Sequence, residues 1–250
     1  MDSITNLREL VIVPATTDVG LQPSPIEKAT KAQCKQLARG QMINIIALIV
    51  GTNQRENVGQ IFLSIIRESS TVIDGQLAAK VAEGFNLKQL IRLLIPVTSA
   101  RALEAIVNYL NFNIITAKGA LGEMKGIASK DNPLYRHMRI REVATVIGFK
   151  HIVDQMDGRI NGTFYRGGSH RYRLPIENVR RIANVKVVTP HNRSIRQQVV
   201  ASVVQAHLDG HLTNESEVDA LARDIPAFND ALAVERARRQ PAAAANAGQT

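Results

Sequence analysis

Between Thr163 and Arg173 the chain reads Thr-Phe-Tyr-Arg-Gly-Gly-Ser-His-Arg-Tyr-Arg. Arg166, His170, Arg171 and Arg173 thus surround one glycine-rich turn, with Tyr165 and Tyr172 among them. These residue types grip a polyanion. A guanidinium donates to phosphate oxygens in a planar fork, and an aromatic ring stacks on sugar or base. Upstream, Arg139, Lys150, His151, Gln155 and Arg159 add donors. Arg166, Arg171 and Arg173 are candidate contacts to phosphates or the minor groove, Lys150, His151, Gln155 and Arg159 are candidate major-groove readers, and Arg139 is a further candidate nucleic-acid contact.

No other chemistry competes. His151 and His170 have no Cys, His or Asp partners at ligand spacing, so no metal site is expected. No GxxxxGK[ST] phosphate loop occurs, and no nucleophile–base pair or carboxylate pair stands at motif spacing. The expectation is therefore a protein that is not an enzyme and has no cofactor. The single cysteine, Cys34, allows no intramolecular disulfide and reads as a packed helix residue in a reducing compartment.

The charge has a location. Of the net +9, residues 136–193 hold +8, from twelve Lys/Arg against four Asp/Glu. A concentrated excess of this kind is an electrostatic footprint for phosphates. The N-terminus lacks a basic region followed by a long apolar core, so no signal peptide is expected. The longest apolar run, Met42–Val50, is interrupted by Asn44 and falls short of the roughly 20 residues a membrane span needs. The expectation is a soluble cytoplasmic protein, nucleoid-associated or virion-borne according to function.

Several elements must hold these residues in place. Ile140-Arg-Glu-Val-Ala-Thr-Val-Ile-Gly-Phe149 puts Ile140, Val143, Ala144 and Ile147 on one helical face, and Gly148 permits a left-handed turn. A second helix comes next, then an alternating hairpin around Gly167-Gly168-Ser169, then a helix opening at Pro175-Ile176-Glu177. The segment 139–184 resembles the MerR and excisionase type of winged helix-turn-helix, with Glu142, Ala144 and Gly148 at matching places in the first helix and turn. Its wing is matched by the glycines, His170, Arg171 and Tyr172. The resemblance implies DNA binding, with DNA favoured over RNA as partner. Two acids on the second helix, Asp154 and Asp157, depart from the family pattern and oppose phosphates unless they face away.

The rest reads as helical. Ser24-Pro25-Ile26-Glu27 is a capping box with proline at the first helical position, and predicts a helix to about Val50. Further helices are expected over 56–68, over 73–94 in two pieces with Asn86 as second cap, after Thr98 or Ser99, and weakly over 120–127. The resulting fold class is mainly α: an N-terminal helical bundle, a winged helix-turn-helix with a small β-hairpin, and C-terminal helices. The domain reading is a flexible arm (1–23), a helical domain (24–129), the winged helix-turn-helix (134–188), C-terminal helices (194–240) and a disordered tail (241–250). The function expected is a DNA-binding transcriptional regulator or a plasmid or phage partition–excision accessory factor, acting as a homo-oligomer. The alternative is a viral nucleocapsid or coat protein that covers nucleic acid without sequence preference and self-assembles through its helical domain.

Overall fold

In the computed structural model the described residues are 8–15, 21–52, 54–116, 121–124, 133–165, 215–224, 226, 229–230, 232–234 and 237–238. The chain divides into two compact units, Met1–Arg159 and Ile160–Thr250. Among the described residues, the first unit is built on a four-stranded mixed sheet in the order β1-β4-β2-β3. The strands are β1 (Glu9–Val11), β2 (Met42–Ile49), β3 (Arg55–Phe62) and β4 (Arg92–Val97). β4 runs parallel to both β1 and β2, and β3 returns antiparallel to β2 with a bulge between Ile45 and Ile46. The helices are α1 (Lys31–Leu37), α2 (Leu63–Ser69), α3 (Thr71–Ala82), α4 (Ala100–Ile115), α5 (Pro133–Val146) and α6 (Lys150–Tyr165). In the second unit, Glu215–Asp224 is helical.

The mainly-α expectation is corrected here, because residues 24–97 contain three strands. The capping box at Ser24 is real, but it opens only a four-residue 3-10 turn, Pro25–Lys28. A second box, Thr30 with Gln33, opens α1. The chain then turns through Gly40, whose φ of +99° suits glycine alone. Met42–Ile49 comes next, as a strand rather than the apolar half of a long helix. Its β-branched residues favour the pleated conformation, and burial alternates: Ile43, Ile45 and Ala47 are buried between half-buried Asn44, Ile46 and Leu48. Of the helix expected over 56–68, the first half is β3 and only Leu63–Ser69 is helical. Asn86 caps as expected by accepting from Lys88 N–H at 3.0 Å, but the helix it starts is one 3-10 turn before β4. Residues 121–124 are not helical; Glu9–Val11, overlapping the apolar run Leu10–Val13 that could form a short strand or pack as an arm, is an edge strand.

Pro96 lies inside β4, a central strand. The parallel ladder explains why it is tolerated. Asn44 N–H donates to Ile91 C=O and Val50 N–H to Val97 C=O, so odd-numbered β4 residues serve β2. The nitrogen of Pro96 therefore faces β1, whose pairing ends at Val11↔Leu94.

One face of the sheet carries Ile43, Ile45, Ala47, Ile61, Leu93, Ile95 and Val97, all buried. Against it packs α4, whose Leu103, Ile106, Val107, Leu110 and Ile114 recur at helical spacing. The opposite face bears a polar row across all four strands: Glu9, Arg92, Asn44 and Gln60. Arg92 pairs with Glu9 at 2.6 Å, and Gln60 donates to Asn44 at 3.1 Å.

α5 joins this core and does not stand apart from it. Ile140, Val143, Ala144, Ile147, Phe149, Ile152, Val153 and Met156 belong to the same buried cluster as the sheet. Gly148 takes the left-handed conformation at φ +71°. Gly148 N–H bonds Thr145 C=O and Phe149 N–H bonds Ala144 C=O, a Schellman ending for α5. The turn seats on the first turn of α3, where the Ser70 hydroxyl donates to Ile147 C=O. The winged module is corrected too. Thr163, Phe164 and Tyr165 continue α6 as helix, where the wing required a strand. Residues 166–173, and the helix expected over 194–208, lie outside the described residues.

Gly148 has two reasons to be glycine. Its φ is left-handed, and an added Cβ would overlap the Val72 side chain and sit 3.3 Å from Val72 N. Gly148→Ala should lower the unfolding free energy by about 2–4 kcal/mol in a denaturant titration, combining backbone and overpacking costs. Adding Val72→Ala should recover only the part of the loss due to Val72 Cγ2, because Val72 Cβ and N stay 3.0 and 3.3 Å from the new methyl, and should leave the backbone part.

Candidate functional site

α6 gathers most of the described candidate residues, and α5 supplies one more. Each engages a partner within the first unit. On α5, the Arg139 guanidinium donates from Nε and Nη2 to the Tyr135 hydroxyl at 3.1 and 3.0 Å, lies over that ring, and reaches Glu142 Oε2 at 3.2 Å. On α6, Lys150 pairs with Asp154 at 2.6 Å, and Arg159 with Glu123 at 2.8 Å. The second acid of α6, Asp157, holds the buried Arg141: Nη2 donates to Oδ2 at 3.1 Å and Nε to Oδ1. Both departures from the family pattern therefore answer a local cation. Arg166, His170, Arg171 and Arg173 lie outside the described residues.

His151, Gln155 and Arg159 do come together, on the segment 121–124. Gln155 Oε1 accepts Met124 N–H at 2.9 Å, and Gln155 Nε2 donates to Gly122 C=O at 3.2 Å. Arg159 donates to Met124 C=O, and the Tyr109 hydroxyl of α4 donates to Gly122 C=O at 2.5 Å. The side chains of Leu121 and Met124 are buried. Gln155 Nε2 also meets His151 Nε2 at 2.7 Å, and His151 Nδ1 lies 4.0 Å from Glu27 Oε2. The helix face expected to read bases is thus a clasp on four residues of its own chain, made largely to backbone groups. Residue type identified the donors. It had no means of showing that Gly122 and Met124, over thirty residues away, accept them.

Burial sets the electrostatics around this helix. The Tyr109 phenol is pushed up to about 12, first by burial, with Gln155 and Arg159 opposing and Glu27 adding to the rise. His137 on α5 is pushed down to about 4, by burial first and then by the charges of Arg159 and Arg136. Burial raises the Glu142 carboxyl, against the opposing pull of Arg139 and Thr98. Glu142 Oε1 and Thr98 Oγ1 are both buried without a well-formed hydrogen bond.

A second set of cations was not singled out by sequence. Lys28, Lys31, Lys35 and Arg39 are all exposed, and none of them forms an ion pair among the described residues. They lie in a run without any acid, from Lys28 to Arg55. That absence was the available signal, and the larger charge excess further along the chain masked it. Lys31, Lys35 and Arg39 are four residues apart, so they line one side of α1 and its C-terminal turn. Gln41 then anchors the chain to the turn before β4, donating to the carbonyls of Lys88 (3.5 Å) and Leu90. Ile91 and Arg92 donate to Arg8 C=O at 2.9 and 3.0 Å. Lys88 and Arg8, whose carbonyls take part in these bonds at the start of β4, are exposed as well.

Among the described residues, no group of three or more His, Cys, Asp or Glu is placed to hold a metal ion. Cys34 is a buried free thiol. No described helix is long and apolar enough to cross a membrane. No family model, curated protein or solved structure matches the chain.

Two measurements check the electrostatics. Removing the partner of a buried cation is costly, so Asp157→Ala should destabilise by about 2–3 kcal/mol, while Asp154→Ala, with an exposed partner, should cost under about 0.5 kcal/mol. Thermal melts separate the two. For His137 the unfolded chain takes up its proton near 6.5 and the folded chain only near 4. This contribution to stability is therefore intact above 6.5 and is lost as pH falls from there toward 4. His137→Gln should flatten the decline of the melting temperature over that window.

Proposed function

We propose that this chain binds nucleic acid through its phosphate backbone, without reading bases, and that Lys28, Lys31, Lys35 and Arg39 form a contact surface. The observation that carries this reading is the charge arrangement of α1. The first turn has no acid and begins with Lys31, at the helix end that favours negative charge. Lys31 and Lys35 are like charges at i,i+4, which also costs helix stability. A seven-residue helix that breaks both rules, beside two further unpaired cations, is poorly explained as a solvated face. A polyanion supplies the missing counter-charge.

The pairing of cations weighs against base reading by α6. Lys150 and Arg159 are ion-paired, and Gln155 spends its amide on the 121–124 backbone. A protein that covers nucleic acid therefore fits these residues better than a groove-reading regulator.

The test is a binding titration against salt, using a random duplex and single-stranded RNA. Each lost phosphate contact lowers the slope of log affinity on log salt by about 0.9 on duplex and about 0.7 on single strands. Lys31→Ala/Lys35→Ala/Arg39→Ala should flatten the slope by about 2.7 on duplex and about 2.1 on single strands, and weaken binding to every sequence alike. Lys150→Ala should leave both unchanged. Absence of wild-type binding at low salt, or a triple variant with the wild-type slope, overturns the reading. A strong preference for one duplex would return the regulator.

A further inference from the structure

We propose that His151, Gln155 and residues 121–124 form a proton-sensitive clasp, closed while His151 is neutral and opened by its protonation. Such a clasp is independent of nucleic-acid binding. It arises from a chain of hydrogen bonds whose polarity is fixed at one end.

The backbone fixes it. Met124 N–H can only donate, and Gly122 C=O can only accept. Gln155 must therefore turn Oε1 to Met124 and Nε2 to Gly122, as observed. The amide nitrogen has a second hydrogen, directed at His151 Nε2 across 2.7 Å. That ring nitrogen must accept, so the imidazole is neutral and its proton sits on Nδ1, facing Glu27 Oε2 at 4.0 Å. Glu27 is held in turn by Ser24 N–H, which donates to Glu27 Oε1 at 2.9 Å.

Protonation places a hydrogen on His151 Nε2. Two donors then confront each other where one bond stood. Flipping the Gln155 amide does not resolve this, because it sets NH₂ against Met124 N–H and Oε1 against Gly122 C=O. Either way the contacts of Gln155 with His151 or with 121–124 are lost, while the carboxylate of Glu27 attracts the new imidazolium. An imidazole gains its charge between about pH 8 and 5, so the clasp is closed at the upper end and open at the lower.

Among the described residues, the charged and titratable groups around the ring are few. On α6, Lys150 and Asp154 neutralise each other, and Arg159 is paired with Glu123 of the clasped segment. From α4 comes Tyr109, whose phenol is pushed up to about 12 and stays protonated throughout. On α5, His137 is pushed down to about 4 and stays neutral throughout. From the 3-10 turn come Glu27 and, outward from it, Lys28.

The experiment is amide hydrogen exchange on the full chain by NMR, reading Met124 N–H at pH 8 and pH 5 as protection factors, with β2 amides as control. Protection of Met124 should fall about tenfold or more at pH 5, the loss of one to two hydrogen bonds, while β2 is unchanged. His151→Gln should abolish the dependence, because a glutamine oxygen accepts at both pH values. Gln155→Glu should invert it. A carboxylate accepts from Met124 N–H and from protonated His151 together, so protection then rises toward pH 5. Equal wild-type protection at both pH values overturns the clasp. So does a parallel fall in β2, which is general acid unfolding, or a Gln155→Glu variant that keeps the wild-type sign.

Discussion

A peptide group buried away from water must find a hydrogen-bond partner, and in this α/β unit that constraint falls on the segments between elements. Strands satisfy each other and helices satisfy themselves. The connections cannot. Here the partner is repeatedly a glutamine, whose amide offers a donor and an acceptor side by side, as a peptide does. Gln76 of α3 accepts Val13 N–H at 2.8 Å and donates to Val13 C=O at 2.7 Å, extending β1 past its last strand partner. Gln155 does the same for 121–124, and Gln41 ties the start of β2 to the turn before β4. Each is one side chain replacing one strand neighbour. The edge of β3 obeys the same logic: Asn111 of α4 donates to Gln60 C=O at 2.7 Å, and Asn57 accepts Gly59 N–H at 3.1 Å. The Gln60 carbonyl is thereby not left open to another chain.

What the sequence discloses about this fold is local, and what it hides is pairing. Gly148 was legible, because a left-handed turn between two helical faces needs no distant information. The caps at Ser24, Asn86 and Ser99 were legible for the same reason. The length of the element behind each cap was not. Met42–Ile49 carries Ile43, Ile45 and Ala47 on the buried face and Ile46 and Leu48 beside Asn44 on the half-buried one, and a run apolar on nearly every side suits a buried helix equally well. Only pairing with Arg55–Phe62 and Arg92–Val97 decides between them, and that contact spans up to fifty residues.

The candidate site divides along the same line. Charge and residue type on α6 were visible, and His151, Gln155 and Arg159 do share a face. Their partners were not visible. Arg159 meets Glu123 across 36 residues, and Arg141 meets Asp157 across 16. A cation count overstates what a segment can offer a ligand whenever acids elsewhere in the chain fold onto it. Asp154 and Asp157 look like obstacles to phosphate binding in the sequence, and in the fold they are reasons why Lys150 and Arg141 are occupied.

That distinction, rather than net charge, separates the two basic regions of the first unit. Around α5 and α6, Arg139, Arg141, Lys150 and Arg159 are ion-paired, so bringing a phosphate to them means breaking an existing pair, and the gain is a difference between two similar interactions. Along α1 no acid stands within the sequence from Lys28 to Arg55, and none of Lys28, Lys31, Lys35 and Arg39 is paired among the described residues. A phosphate there removes repulsion that the folded chain otherwise carries, and releases its counterions as well. The twelve residues from Lys28 to Arg39 therefore have more to gain from a polyanion than the denser charge of α5 and α6, even though the latter dominates any count.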